Sequence, residues 1–273
     1  MTSPPDLTDR SALKSHRARA SRKPVRFLHE AAIDEMHDRL SMVNKSFTSV
    51  ALITGHPEIW TPAFPKATVV EDAETLGLDP EAHDLILHAM CLHWSKDPVG
   101  QLIQCRRALK PDGLLLVAVL GGETLHELRT ALAQAEVELS GGLSPRVAPM
   151  AEIRDLGALM QRAGFALPVA DIVPIRASYR DLWHLGHDLR GMGETNALAA
   201  RIRHFSGRAL FDRASEIYQM HFSTDHHRVN ASFDLIMLTG WAPDASQPRP
   251  LRPGSASTRL ADALSTKETP LKD

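Results

Sequence analysis

The chain has 273 residues, 43% of them hydrophobic and 23% charged, with a formal net charge of -2 and a sequence pI near 6.7. That length supports a sizeable core in one large domain with appendages, and the near-neutral charge excludes a general nucleic-acid or membrane-surface binder. The longest apolar run, Leu114 to Leu120, is far too short to span a bilayer.

Residues 1–26 are polar and basic, carrying Arg10, Lys14, Arg17, Arg19, Arg22, Lys23 and Arg26 against Asp6 and Asp9. They read as a solvated helix and loop, or as an arm that docks on an acidic partner. From Phe27, "FLHEAAIDEMHDRL" places Phe27, Leu28, Ala31, Met36 and Leu40 near helical spacing, with Ile33 off by one, which predicts an amphipathic helix leading into the core. The N-terminal arm is expected over 1–45, and the main domain over 46–243.

From Ser49 the texture changes to apolar strands alternating with helices. "SVALIT", "ATVVED", "HDLILHAM" (83–90) and "GLLLVAVL" (113–120) predict continuous apolar strands, as in a parallel sheet covered on both faces. The first ends in Gly55, as a nucleotide-binding strand and loop begin, yet His56, Pro57 and Glu58 follow where a phosphate or adenosyl loop carries glycines. Residues 56–66 include Pro57, Pro62 and Pro65, which leaves no room for a full crossover helix before the next strand.

"DPVGQLIQCRRALKPDG" is a connecting helix with Asp97 as N-cap, Pro98 at N1, and Pro111 with Gly113 as its stop. Its expected buried stripe is Val99, Leu102, Ile103 and Leu109, with Arg106 and Arg107 outside. "ETLHELRTALAQAEVEL" predicts a second amphipathic helix with Leu125, Leu128, Leu132 and Leu139 on one side. "MAEIRDLGALMQRAGF" predicts a third, capped by Gly164. "VADIVPIRAS" and "SFDLIMLTGW" are two later strands with "DLWHLGHDLRGMG" and "ALFDRASEIYQM" as helices between them. The tail over 244–273, rich in Pro, Ser, Arg and Lys, is expected to be disordered.

Cys91 and Cys105 are the only cysteines and form no CxxC pair, which suits a reducing cytoplasm and offers neither a zinc nor a disulfide framework. No basic segment followed by an apolar core opens the chain, so no secretory signal is expected. The chain has 14 histidines, but the densest group, "HFSTDHHRVN" at 221–230, lacks the spacing that sets two imidazoles on one helical face. No metal site is expected.

Strand, "HDLILHAMCLHWSKDP", helix, "LKPDG", strand: this order resembles the second half of the class I S-adenosylmethionine (SAM) methyltransferase fold. It is met by Asp84, Leu85, Leu92, His93, Trp94, Asp97, Leu109, Lys110, Pro111 and Gly113. "GGETLHELR", "GGLSPRVAP", "DLGALMQRAGF", "GMGETNAL" and the leader "LTDRSALKSHRARA" resemble a narrower group. It comprises the alphaproteobacterial relatives of the mitochondrial complex I assembly factor that hydroxylates an arginine on a complex I subunit. Carrier-protein methyltransferases of the biotin pathway are its more distant neighbours.

The resemblance implies an α/β, Rossmann-like domain with a mostly parallel sheet shortened by one strand, an N-terminal helical arm and a helical insertion before the last strand. It also implies a protein substrate or partner, such as a respiratory complex I subunit. For SAM, it places Gly55 by the methionine portion, Asp72 with Ala73 near adenine, and His88 and Ala89 along the remaining pocket. Ile53, Pro57 and Ile59 stand where that family carries an acidic residue and two further glycines, so the cofactor loop is degenerate. "VVEDAETLGL" matches the segment after the family's third strand, which leaves the ribose-binding acidic residue without a counterpart. His93 is either a general base or a packing residue at a strand-to-helix turn, and no catalytic residue is assigned. Two activities are open: a methyltransferase-family enzyme acting on a protein, or a pseudo-methyltransferase serving as an assembly chaperone or adaptor.

Overall fold

The computed structural model describes residues 6–224, 227–248 and 266. Most of the expected disordered tail lies outside the described residues. So do residues 225 and 226 of the histidine-rich segment.

A six-stranded sheet has the order β2-β1-β3-β4-β6-β5. Four strands are parallel: β1 (Val50–Thr54), β2 (Thr68–Glu71), β3 (His83–Ala89) and β4 (Leu109–Gly121). The last two, β5 (Ala166–Tyr179) and β6 (Val229–Trp241), are antiparallel, with β6 between β4 and β5. The mostly parallel α/β architecture expected from the apolar strands is therefore present. β5 is the edge strand, and its Pro168 and Pro174 are tolerated because an edge need not donate every ladder hydrogen bond.

Strand alternation splits the core in two. Leu114, Leu116 and Ala118 face Met36 of α2 (Phe27–Met42), Ala131 of α5 (His126–Ser140), Leu185 of α7 (Leu182–Met192) and Ile217 of α8 (Arg208–Phe222). Leu115, Val117 and Val119 face Leu102 and Cys105 of α4 (Pro98–Ala108) and Leu156 and Met160 of α6 (Ile153–Arg162). Side chains of period two buried on both faces require helices on both sides.

The helix signals hold at α4, where the Asp97 side chain accepts from Gly100 N and Pro98 opens the first turn. They hold again at α6, where Gly164 follows the helix at φ +83. Three details differ from the sequence reading. "LKPDG" is drawn into β4, which begins at Leu109 directly after the helix. The buried face of α4 carries Gln101 and Cys105 beside Leu102. In α5, Leu139 is exposed while Glu127 and Glu136 are buried. Each of those carboxylates has donors: Ser232 for Glu127, and Ser144 with Arg146 for Glu136, and paired polar groups are tolerated in a core.

The crossover from β1 to β2 holds one helical turn, α3 (Pro57–Trp60), with Ile59, Trp60 and Phe64 buried. A buried tryptophan resists truncation by about 3–5 kcal/mol, so Trp60 anchors this connection where a longer helix would otherwise do so. β2 consequently lies directly beside β1, with Thr54 in register with Glu71.

Candidate functional site

Ligands of open α/β sheets bind beyond the carboxyl ends of the parallel strands, and those ends bring Gly55 and Asp72 together. Thr54 is level with Glu71 on one side and Ala89 on the other. Gly55 and Asp72 therefore leave the sheet as neighbours. His56 N donates to Thr54 Oγ1 at 3.0 Å, which tightens the turn before Pro57.

The space above them is filled by α1 (Arg10–Ala20). Arg10, Leu13, Arg17 and Ala20 recur at helical spacing and share one face. Leu13 and Ala20 are buried, and both arginines reach Asp72. Arg17 Nη1 lies 2.7 Å from Asp72 Oδ2, and Arg10 Nη2 lies 3.1 Å from Oδ1. Asp9 caps the helix by accepting from Ala12 N and pairs with Arg201 at 2.9 Å. Asp9 N donates to Ala197 O at 2.7 Å, and Val25 N donates to Gly191 O at 3.0 Å. The arm's docking partner is thus this chain's own Asp72, together with the segment after α7.

Burial pushes the Asp72 carboxyl up, but Arg17 and Arg10 outweigh it and hold it below the usual carboxylate range. Burial opposes the Arg17 charge, and Asp72 and Glu194 restore and raise it. A Cβ at Gly55 would overlap the Arg17 guanidinium. Glycine there admits an arginine of the same chain.

The other expected site residues lie deeper. The Ala73 carbonyl accepts from Gln101 Nε2 at 2.7 Å, so the Gln101 oxygen is left to accept from His88 Nε2 at 3.0 Å. That fixes the neutral tautomer of His88, whose Nδ1 faces the Cys91 thiol at 3.5 Å. His88 is wholly buried and Ala89 is 1% exposed. Both sit in the core beneath the strand ends, away from any open surface.

The resemblance implies SAM at this edge, but the residues present do not fit it there. Arg17 covers Gly55, and both Asp72 oxygens are engaged by arginines. Among the described residues no group of three or more His, Cys, Asp or Glu is placed to hold a metal ion. No helix among them is long and apolar enough to cross a membrane.

Beside the plug lies a buried polar chamber that the sequence reading did not assemble. His29 of α2 accepts from Trp60 Nε1 at 3.0 Å, and its ring centroid is 4.8 Å from that of His56. Burial, with repulsion from His56 and Arg17, lowers the His29 pKa to about 3. Gly193, at φ +78, ends α7, and Glu194 N donates back to Leu189 O at 3.0 Å. This left-handed cap is a glycine position, and it turns Glu194 inward. Glu194 Oε2 accepts from Trp94 Nε1 at 2.8 Å and meets His93 Nε2 at 3.2 Å. Burial pushes the Glu194 carboxyl up, but His93, Arg17 and His56 bring it down to about 2. "GMGETN" was visible as a motif; that its Glu is buried was not.

Glu194, His93 and Trp94 also line a cavity of about 1030 Å³. Its walls include Leu125, Leu128, Leu132 and Phe233, and its mouth carries Trp183 and Phe205. Phe205 is 92% exposed. Arg146, in the "GLSPRVAP" segment, also lines the cavity and is neutralised by Glu136 at 2.7 Å.

A methyltransferase-domain family model matches residues 32–117. The mitochondrial arginine-hydroxylase NDUFAF5 of Danio rerio is 36% identical over 202 residues, covering 74% of this chain and 63% of that protein. The malonyl-[acyl-carrier protein] O-methyltransferase of Xylella fastidiosa is 34% identical, covering 66% of this chain and 58% of that one. The chain thus spans less than two thirds of the length of these curated relatives. Among solved structures, the YcgJ protein of Bacillus subtilis aligns at a TM-score of 0.48 with 11% identity, covering 80% of this chain and 100% of that one.

Proposed function

The chain belongs to the class I methyltransferase superfamily, and from that premise we propose that it acts on a protein side chain during assembly of respiratory complex I. The observation that carries this reading is the cavity ending on Glu194, whose mouth exposes Phe205 and Trp183. Aromatic groups left in water beside a concave apolar pocket suit a protein partner better than a small soluble metabolite. The relationship to an arginine-hydroxylase supports a protein substrate. The reduced, buried Cys91 and Cys105 are compatible with work in the cytoplasm.

In this reading the leucines lining the cavity hold the stem of the incoming side chain and exclude water from it. Glu194, fixed by Trp94 and His93, orients its tip. Gly55, Asp72 and Ala73 remain the positions at which SAM would be sought, and the site is entered there only if α1 moves.

A second reading is favoured by Arg17 over Gly55: the protein holds its partner as an assembly chaperone without methyl transfer. Affinity purification of the full chain from its native cell should retain a complex I subunit or another assembly protein. Retention of neither overturns the assembly reading. Thermal unfolding with millimolar SAM separates the two activities. A ligand at 100 times its Kd adds about 2.7 kcal/mol, and no rise in Tm is expected while α1 stays docked. A clear rise would reject the chaperone reading and require that Arg17 leaves Gly55.

A further inference from the structure

The segment after α7, residues 193–201, has two sides. On one it lines the cavity with Glu194, Thr195 and Asn196. On the other it is bound to the N-terminal arm. Asp9 N donates to Ala197 O at 2.7 Å and Ala199 N to Leu7 O at 2.9 Å, with Thr8 opposite Leu198 in an antiparallel bridge. His16 Nδ1 meets Thr195 O at 3.2 Å, and Asp9 pairs with Arg201 at 2.9 Å. Gly193 closes the contact, since a Cβ there would come 3.2 Å from Arg17 Cγ.

Elsewhere the segment is held by side chains. Glu194 reaches Trp94 and His93, and Asn196 Nδ2 donates to Pro145 O at 2.8 Å. Among the described residues, its backbone hydrogen bonds to other parts of the chain go to the arm or back to α7. Buried backbone groups need partners, so the segment keeps its course only while the arm is docked.

The arm has little apolar attachment. Leu13 packs in a separate cluster with Trp94 and Ala197, apart from the two large cores on the faces of the sheet. Withdrawal of α1 leaves both of those cores whole, which lets a part of a structure open below the free energy of global unfolding. Among the described residues, nine buried side-chain polar atoms have no hydrogen-bond partner. Five of them belong to the arm or the segment: Thr8 Oγ1, Arg17 Nε and Nη2, Glu194 Oε1 and Thr195 Oγ1. Such atoms weaken the state that buries them, and they are concentrated where the arm closes.

We infer that α1 and residues 193–201 form a latch that opens as a unit and joins the strand ends at Asp72 to the cavity wall at Glu194. Arg17 is the joint: it pairs with Asp72, and its stem packs on Gly193, next to Glu194. Closed, the latch covers Gly55 and fixes the wall. Open, it frees Asp72 and releases Glu194, Thr195 and Asn196 from their present positions. The two places are therefore alternatives. An occupant that draws Arg17 from Asp72 dismantles the wall, and a partner seated against that wall favours the docked arm. The inference rests on the reading that the protein works at this cavity, and gives that site its regulation.

Amide hydrogen exchange of the full chain, followed residue by residue by NMR, tests the latch without any ligand. Glu194 N donates to Leu189 O and Arg201 N to Leu198 O, so both amides report on the segment and not on its bonds to the arm. Leu13→Ala should speed exchange in α1, at Glu194 and at Arg201 by a common factor of at least about 30. Arg17→Met, which keeps the stem against Gly193, should move the same amides together. Met160→Ala, in the core under α6, should lower global stability yet leave those amides within about twofold of wild type, because that core is intact whether the latch is closed or open.

Faster exchange in α1 with no change at Glu194 and Arg201 overturns the proposal, as the segment then stands without the arm. So does a Met160→Ala chain whose latch amides accelerate with the rest, or a Leu13→Ala chain that fails to fold, since either makes α1 part of the global core. A negative outcome here leaves the assembly reading standing. Purification that retains no respiratory partner removes that reading and leaves the exchange pattern as it is.

Discussion

Replacing Asp72 with asparagine should lower the unfolding free energy by about 3 kcal/mol, the lower end of the cost of breaking a buried ion pair by removing one partner. The magnitude follows from burial. The Asp72 side chain is 1% exposed and that of Arg17 is 11% exposed, so neither charge regains water when the other is lost. In a unit of this size, that loss should appear as a fall in Tm of about 6–12 °C. Arg10 provides the control. Its side chain is 29% exposed, and Arg10→Ala should cost about 1 kcal/mol, nearer to a surface pair. Urea and thermal unfolding followed by circular dichroism measure both. An Asp72→Asn chain within about 1 kcal/mol of wild type would mean that the pair is solvated, and the plugged-site description would fail with it.

The same pair marks where the sequence was legible and where it was not. The strands could be read because each is a continuous apolar run, and a run buried on both faces has few other uses. Helix α4 could be read because Asp97 and Pro98 stand where a cap and a first turn need them. The plug could not. Arg10 and Arg17 lie in a segment whose seven basic residues have a simpler role as a solvated face. Only their common helical face with Leu13 and Ala20 distinguishes them. The acidic residue they meet is 55 positions from Arg17, and local pattern carries no information about such pairing.

Glu127, Glu136 and Glu194 pose the same difficulty, because a carboxylate enters a core only if distant donors are waiting. Gly55 and Asp72, which the resemblance placed along a SAM site, leave the sheet side by side at one edge. The short connection through α3 leaves β2 directly beside β1, and α1 covers the strand ends there. Buried polar atoms without hydrogen-bond partners lie on both sides of this edge, at Arg17 Nε and Nη2 and His56 Nε2 and at Glu194 Oε1 and His93 Nδ1.

The second large effect expected is with pH. Between pH 7 and pH 5 the wild-type chain should lose about 2 kcal/mol of unfolding free energy through His29, which the fold holds neutral. His56 and His88 are displaced in the same direction and add to that loss. Burial lowers all three. His56 and Arg17 add repulsion at His29, Arg17 does so at His56, and the Gln101 hydrogen bond opposes burial at His88. In the unfolded chain each ring takes a proton near pH 6.5. Acidification below that value therefore favours the unfolded state, and for His29 the loss continues until the folded ring itself protonates at about 3. Asp72 acts in a different window. Its folded value is depressed, so its contribution is complete above the usual carboxylate range and disappears only as pH falls through it. A fall in stability between pH 7 and 5 thus reports the histidines and leaves the arginine plug intact. His29→Asn retains an acceptor for Trp60 Nε1 and removes the titration. It should be less stable at pH 7, yet lose about 2 kcal/mol less on going to pH 5. Urea unfolding at both pH values measures the difference. A wild-type chain equally stable at pH 5 and pH 7 would show that these rings accept protons in the folded state, and that the chamber around His29 and His56 opens to water.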